Sequence, residues 1–269
     1  MISKDFRLDF EALLSQIIDG RGFLHYGYWP AGTADEISFS RLAEAQQAYF
    51  DVLVDAIPEG TKTILDVGSG TGSNALGLLQ KNYSVECVCP STKLNQIATR
   101  KLPEGTRIFE STFEEMENDN VYDVLLFSES FHYLDLERAL PRIDALAKKH
   151  VLIFDYFPRK DSSTCRAVSH RQFIRLLSVY VPGKFGFESD RDVTPFIIPT
   201  FKVLDEIKNE HVGPFVSRSV TEFRASHRLL SLLASYPIRK LTARFTKVSS
   251  RFETFPESFE YRLIVLTRT

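Results

Sequence analysis

Residues 63 to 79 read TILDVGSGTGSNALGLL. An apolar run from Thr63 to Val67, carrying Asp66 near its end, leads straight into Gly68-Ser69-Gly70-Thr71-Gly72. A helical pattern begins at Ser73. Strand, tight turn and helix therefore follow one another with no linker. Glycines let the backbone turn sharply and approach a ligand closely, and a helix N-terminus offers free N–H groups. A bare glycine pattern is weak evidence, but a strand before it and a helix after it supply the context it needs. The spacing differs from the G-x-G-x-x-G of dinucleotide sites. No phosphate-gripping G-K-[ST] is present.

Upstream, Leu42, Ala45, Tyr49, Val52, Leu53 and Ala56 mark a helix that Pro58-Glu59-Gly60 ends. Before it lies FLHYGYWPAG, residues 23 to 32, a loop by its glycine and proline punctuation. A loop so rich in aromatics is costly to leave in water and is expected to fold over something. The plainer alternative is that it packs the N-terminus onto the core. Phe6, Phe10, Leu13, Leu14, Ile17 and Ile18 repeat at helical spacing and predict an amphipathic helix over residues 5 to 19.

Downstream, strands are expected at Val85 to Cys89, Arg107 to Phe109, Tyr122 to Phe127 and His150 to Phe154. Helices are expected from Pro90-Ser91 to about Lys101, and over Leu136 to Ala147 with Pro141 as a point of interruption. Such alternation predicts a doubly wound α/β fold around a mostly parallel sheet covered on both faces. It stops after Phe157. Residues 158 to 250 read as mainly helical, over 166 to 180, 201 to 210, 221 to 235 and 238 to 245. Two strand-like runs, Ser250 to Phe255 and Glu260 to Leu266, close the chain around a turn at Pro256-Glu257-Ser258. The expected organisation is an N-terminal helical cap with the aromatic loop (1–60), a core (61–157), a helical lid (158–249) and C-terminal strands completing the sheet (250–269).

The 269 residues are 43% hydrophobic and 25% charged, with a formal net charge of -2. That balance argues against a general nucleic-acid binder. Cys87, Cys89 and Cys165 form neither a disulfide scaffold nor a zinc spacing, so no metal site is expected and a reducing cytoplasm is the default. No apolar run approaches the roughly 18 residues needed to span a bilayer. Between Glu222 and Glu253 there is no acid, but there are seven Lys or Arg: Arg224, Arg228, Arg239, Lys240, Arg244, Lys247 and Arg251. A solvated helical face is the plain account. A site for an anionic group or a membrane-surface contact is the sharper one.

ILDVGSGTG resembles the first motif of the class I S-adenosylmethionine-dependent methyltransferases. The resemblance covers residues 61 to about 157, and the C-terminal strands loosely. It implies a seven-stranded, Rossmann-like sheet whose last strand is antiparallel, with S-adenosylmethionine as cofactor. In that family the glycine turn passes under the methionine and ribose, and the acid at the position of Asp66 organises the amino end. The resemblance places Asp66, Gly68, Ser69, Gly70, Gly72, Cys89, Ser91, Thr112, Phe113 and Ser128 around the cofactor, with Phe113 packing on the adenine. Two acids usual in the family are missing, since Cys89 and Thr112 stand in their places. A neutral thiol is a poor acceptor, so Ser91, the Pro90 backbone or a water is expected to compensate. HYGYW resembles a signature of the small-molecule branch, in natural-product, quinone and tocopherol-type enzymes. It implies that His25, Tyr26, Tyr28 and Trp29 close over the cofactor, where a ring face favours a sulfonium cation.

Ligands in an open α/β sheet sit beyond the carboxyl ends of the strands. The most polar such segment is FSESFHYL, residues 127 to 134, where Glu129 and His132 are three apart and able to face one cavity. Either could take a proton from a nucleophile. His132, Glu129 and His25 are the catalytic candidates, and capping or packing beside Tyr133 is the competing role for His132. Tyr26, Tyr156, Phe196 and Phe201 are the substrate-side candidates. Phe173, Leu176, Leu177, Phe185, Phe187, Ile197 and Ile198 suggest an apolar pocket or the lid's own small core. The expected activity is methyl transfer to O, N or C of a small, largely apolar metabolite, with an acidic group if the basic run serves it. A cyclopropane-forming or alkene-methylating enzyme, with Glu129 near the reacting carbon, is the first alternative. A catalytically silent methyltransferase-like binding module is the second. The chain is expected to be a monomer or homodimer.

Overall fold

The computed structural model describes residues 22–31, 37–161, 167–227, 230–231 and 235–269. The helix expected over 5 to 19, Gly32, Cys165 and Arg228 lie outside the described residues. The core elements are α1 (Leu42–Asp55), β1 (Thr63–Val67), α2 (Ser73–Gln80), β2 (Ser84–Val88), α3 (Thr92–Lys101), β3 (Ile108–Phe109), β4 (Tyr122–Ser128), α4 (Leu136–Leu146) and β5 (Ala147–Pro158). There follow α5 (His170–Tyr180), β6 (Phe185–Asp192), α6 (Thr194–Glu206), a π-helical turn (Ile207–Val212), α7 (Gly213–Ser226), α8 (Ser235–Thr246), α9 (Arg251–Ser258) and β7 (Phe259–Arg268).

The strands form one seven-stranded sheet in the order β3-β2-β1-β4-β5-β7-β6. The first five are parallel, and β7 runs antiparallel to both β5 and β6. Successive side chains of a strand point to opposite faces, and here both faces are dry. Leu65, Val67, Leu125, Phe127, Val151 and Ile153 join a core with α4 and α5. Ile64, Val124, Leu126, Leu152 and Phe154 join another with α1, α2 and α3. This double burial is why the strands read as continuous apolar runs. Strand order reverses between β1 and β4, so a crevice opens at their carboxyl ends.

Three elements differ from expectation. α4 runs unbroken through Pro141, an exposed position where water can take the carbonyl freed by the missing N–H. Phe185–Asp192 is a strand of the sheet, so the segment after residue 158 is not wholly a lid. Its polar FESDRD sequence hid it, and charge suits an edge strand. Pairing to β7 sets its place, with Asp190 accepting from Arg262 at 2.7 Å. Ser250 to Phe255 is not a strand either. Ser250 caps α9 and Arg251 to Phe255 lie in it, with Phe252 and Phe255 one turn apart, so β7 pairs with β5 and β6 and forms no hairpin with residues 250–255. Phe173 and Leu177 on α5 and Phe185 on β6 lie in the core beneath the sheet and not in a lid pocket.

Candidate active site

The glycine turn is held from below. Gly68 N donates to Val88 O at 2.8 Å, which ties the turn to β2. Gly68, Gly70 and Gly72 have φ of 77°, 57° and 76°, the left-handed region where other residues are strained. Gly68 is also a close approach, since an added Cβ would stand 2.4 Å from Ser130 Cβ. Asp66 is buried, with no hydrogen-bond partner for Oδ2, and burial pushes its carboxyl up to about 7. Ser69 is buried too.

The aromatic loop is a strap across this turn. Gly22 O accepts from Thr71 Oγ1 at 2.6 Å and from Ser73 Oγ at 2.9 Å. Leu24 lies against Gly70 and packs with Cys89, Leu94 and Ile97. His25 stacks on Tyr49 at 4.1 Å, and burial lowers its pKa to about 4, which keeps it neutral. Its ring also interacts with the Asn74 side chain on α2.

Beyond His25 the strap turns away. Tyr28 stacks on Phe196 at 4.9 Å, and Trp29 is buried with Leu42, Ala45 and Val203 while its Nε1 donates to Thr200 Oγ1 at 2.9 Å. Tyr28 and Trp29, expected at the cofactor, therefore anchor the strap to α6. Gly22, Phe23 and Leu24 are the residues that reach the glycine turn. Nothing in the sequence distinguishes the two ends of the loop, because only the docked path decides which rings meet α6.

The β2 and β3 side is more polar than expected. Cys89 follows β2 directly and is buried, with its thiol pushed up by that burial. Ser91 caps α3, its Oγ accepting from Leu94 N at 3.4 Å. Glu110, absent from the sequence candidates, stands just past β3 and accepts from Thr92 Oγ1 at 2.7 Å and Asn95 Nδ2 at 3.2 Å. Those two donors hold its carboxyl below the usual range. Asn95 Nδ2 also donates to Cys89 O at 3.0 Å, so a carboxylate sits one side chain away from the Cys89 backbone carbonyl. Thr112 is half-buried, and its Oγ1 donates to Glu115 at 3.3 Å. Phe113 is 3% exposed and set edge-on to Phe127, so it belongs to the core and not to an open adenine platform.

The polar cluster after β4 splits into two. Glu129, with a φ of 53°, accepts at Oε1 from Tyr26 N at 2.8 Å and from Tyr261 Oη at 2.7 Å. Tyr49 Oη lies 3.1 Å from Tyr261 Oη and 3.3 Å from Ser128 Oγ, and donates to Phe154 O at 3.0 Å. Burial, then the Glu129 charge, pushes both tyrosine hydroxyls well above their ordinary range, so they remain donors. Glu129 is thus the latch that joins strap, β7 and α1.

His132 faces elsewhere. Its Nδ1 lies 2.9 and 3.0 Å from the two oxygens of Asp155, which is fully buried at the end of β5. Asp155 also accepts from His132 N at 3.1 Å and Tyr156 N at 2.7 Å. A carboxylate on Nδ1 fixes the proton there and leaves Nε2 as the basic nitrogen. His132 and Tyr156 line a cleft with Leu134 and Ala167.

A row of aromatic rings connects the two halves. Tyr26 packs on Phe201 at 4.8 Å, Phe201 on Phe255 at 4.4 Å, and Phe255 on Phe259 at 5.2 Å. Phe259 meets Tyr156 at 5.4 Å, and Tyr156 meets His132 at 4.3 Å. Tyr26, Tyr156 and Phe201 were expected on the substrate side. Phe255 and Phe259 were hidden by the strand reading of that segment, and Phe196 instead packs under Tyr28.

Comparison with known proteins bears on this arrangement. Residues 65–154 match the family model described as a methyltransferase domain. An uncharacterised methyltransferase of Bacillus cytotoxicus is 31% identical over 104 residues, covering 38% of this chain and 49% of that protein. The chain thus spans about half the length of that curated relative, and 36% of an uncharacterised methyltransferase of Mycobacterium bovis. Among solved structures, geranyl diphosphate C-methyltransferase from Streptomyces coelicolor A3(2), in complex with Mg2+, geranyl-S-thiolodiphosphate and S-adenosyl-L-homocysteine, superposes with a TM-score of 0.69 at 16% identity. That match covers 96% of this chain and 92% of the other. Residues 65–154 are thus similar to a methyltransferase domain, and they lie in a seven-stranded sheet with the fold of the methyltransferase structures it superposes on.

Proposed function

We propose that the protein transfers a methyl group from S-adenosylmethionine to a small, largely apolar metabolite, with His132 as base. The observation that carries this reading is a pair of buried polar atoms left without a hydrogen-bond partner beside the glycine turn and β2: Asp66 Oδ2 and Asn95 Oδ1. Native structures leave few such atoms without cause. A ligand with an ammonium, hydroxyls and a ring amine offers them donors. Asp66 and the Gly68–Gly72 backbone would hold the amino-acid end. Glu110, brought close to Cys89 by Asn95, would supply the carboxylate that β2 lacks. When bound, S-adenosylmethionine supplies an electrophilic sulfonium methyl.

His132 Nε2 is placed to accept a proton from the acceptor, while Asp155 stabilises the resulting imidazolium. The aromatic row from Tyr26 to Tyr156 gives an apolar acceptor a surface leading to that nitrogen, and burial under the strap excludes water. Glu129 spends its Oε1 on the strap and Tyr261, which favours a protonated nucleophile over an alkene that needs Glu129 beside the reacting carbon. The small-molecule acceptor is further supported by the geranyl diphosphate C-methyltransferase among the structural neighbours.

Calorimetry with S-adenosylhomocysteine is the direct test, followed by product mass from a panel of apolar alcohols, phenols and amines. Absence of binding would sink the cofactor assignment. Binding without any methylated product would favour the silent binding module.

A further inference from the structure

Of the twelve large apolar side chains that are markedly exposed among the described residues, six lie between residues 215 and 252: Phe215, Phe223, Leu230, Tyr236, Val248 and Phe252. Phe215, Tyr236 and Val248 are exposed by 70%, 67% and 75%. They sit on or beside α7, α8 and the start of α9. α7 is nearly all exposed, with Gly213 its one buried residue. The same segment exposes Arg224, Arg239, Lys240, Lys247 and Arg251, and no acid lies between Glu222 and Glu253. None of these five cations is ion-paired among the described residues.

This surface is joined to the acceptor side. Asn209 in the π-helical turn donates to Ser249 O at 2.9 Å and accepts from Ser249 N at 2.8 Å. Asp205 on α6 accepts from Phe252 N at 2.9 Å. α9 therefore carries an exposed Phe252 and, one turn on, the Phe255 of the aromatic row.

We infer that α7, α8 and the start of α9 dock on an anionic lipid bilayer surface. The chain as a whole carries a net charge of -2, so the attraction is local to this face. Exposed rings and aliphatic side chains enter the headgroup boundary, while the cations beside them meet anionic headgroups. No described helix is long and apolar enough to cross a membrane, which fits peripheral contact. An apolar acceptor dissolved in the bilayer would then enter beside Phe252 and Phe255. That last step rests on the proposed acceptor, whereas lipid binding does not.

The test is co-sedimentation of the full chain with phosphatidylglycerol–phosphatidylcholine vesicles and with phosphatidylcholine alone. Binding is expected to the anionic vesicles and to be reversed by high salt. The double variant Arg239→Gln/Lys240→Gln should weaken it about thirtyfold, at about 1 kcal/mol per charge, with S-adenosylhomocysteine binding and melting temperature unchanged. Tyr236→Ser should weaken it independently. Equal binding to both vesicle types, or a double variant that binds like the parent, overturns the inference. So does an absence of vesicle binding combined with self-association that Tyr236→Ser abolishes, since a second copy would then cover the face. Because vesicle binding is read without methyl transfer, a failed methyltransferase assignment leaves the result interpretable.

Discussion

Replacing Asp155 with Asn tests the base assignment with one atom changed. Asp155 is fully buried and takes three N–H groups: Tyr156 N at Oδ1, His132 N at Oδ2, and His132 Nδ1 at 2.9 and 3.0 Å from the two oxygens. Asn keeps one acceptor and adds an NH2. Placed at Oδ1, the amide faces Tyr156 N; placed at Oδ2, it faces His132 N. Neither orientation satisfies both backbone donors. A buried N–H left without an acceptor costs about 1–3 kcal/mol. For a chain of this size a loss of about 2 kcal/mol lowers the melting temperature by roughly 4–8 °C. Turnover should fall further. The variant loses the charge that stabilises the imidazolium and the lock on the ring, and a positioned base contributes about 10²–10⁴-fold. A drop of about 10²-fold in kcat is expected, with S-adenosylhomocysteine affinity within a few-fold of the parent. Differential scanning calorimetry, ligand titration and initial rates read the three quantities separately. Unchanged kcat alongside the expected melting shift would refute the base assignment and leave Asp155 a structural anchor.

Further outcomes follow from the structure. Asp66 holds its proton up to about 7 in the folded chain against an ordinary value of 3.8. Between those values the folded state binds a proton that the unfolded state has lost, so stability falls as pH rises from about 4 to 7, by about 4 kcal/mol at most. Melting curves across that range should show the slope, and Asp66→Asn should flatten it. A ligand ammonium would favour the ionised form, so S-adenosylhomocysteine binding near pH 6 should release protons, seen as a dependence of the calorimetric heat on buffer ionisation enthalpy. Glu129→Ala removes the acceptor of Tyr26 N and Tyr261 Oη and should weaken S-adenosylhomocysteine binding about tenfold or more, from about 1–3 kcal/mol of strap anchoring; Glu129→Gln keeps an oxygen and should lose far less, and equal losses would argue against the latch. Gly68→Ala meets Ser130 Cβ at 2.4 Å and sits at a φ of 77°, for a loss of about 2–4 kcal/mol in denaturant melts. Gly60→Ala, with a φ of 76° and nothing within 4 Å, should cost only the backbone part, about 1–2 kcal/mol.

The parallel half of the fold was legible because its causes are local. Thr63 to Gln80 carries a strand, left-handed glycines and a helix start within one short stretch, and each strand buried on both faces declares itself as an apolar run. The placing of Asp66 and of His132 near strand ends was legible by the same route, since position after a strand is written in sequence order. Phe185–Asp192 was not, because a polar edge strand owes its conformation to β7, which arrives more than sixty residues later. Ser250 to Phe255 was misread because alternation and helical spacing coincide over so few residues.

The sequence by itself determined the glycine turn and the doubly covered sheet around it. Only the tertiary structure decided how the candidate residues divide their work. Glu129 and His132 are three positions apart, yet one latches the strap through Tyr261 and the other is held by Asp155. Tyr28 and Trp29 share a pentapeptide with His25, yet they face α6 while His25 lies on Tyr49. In each case the partner comes from a distant segment, and a side chain's role is set by the group it meets across the fold.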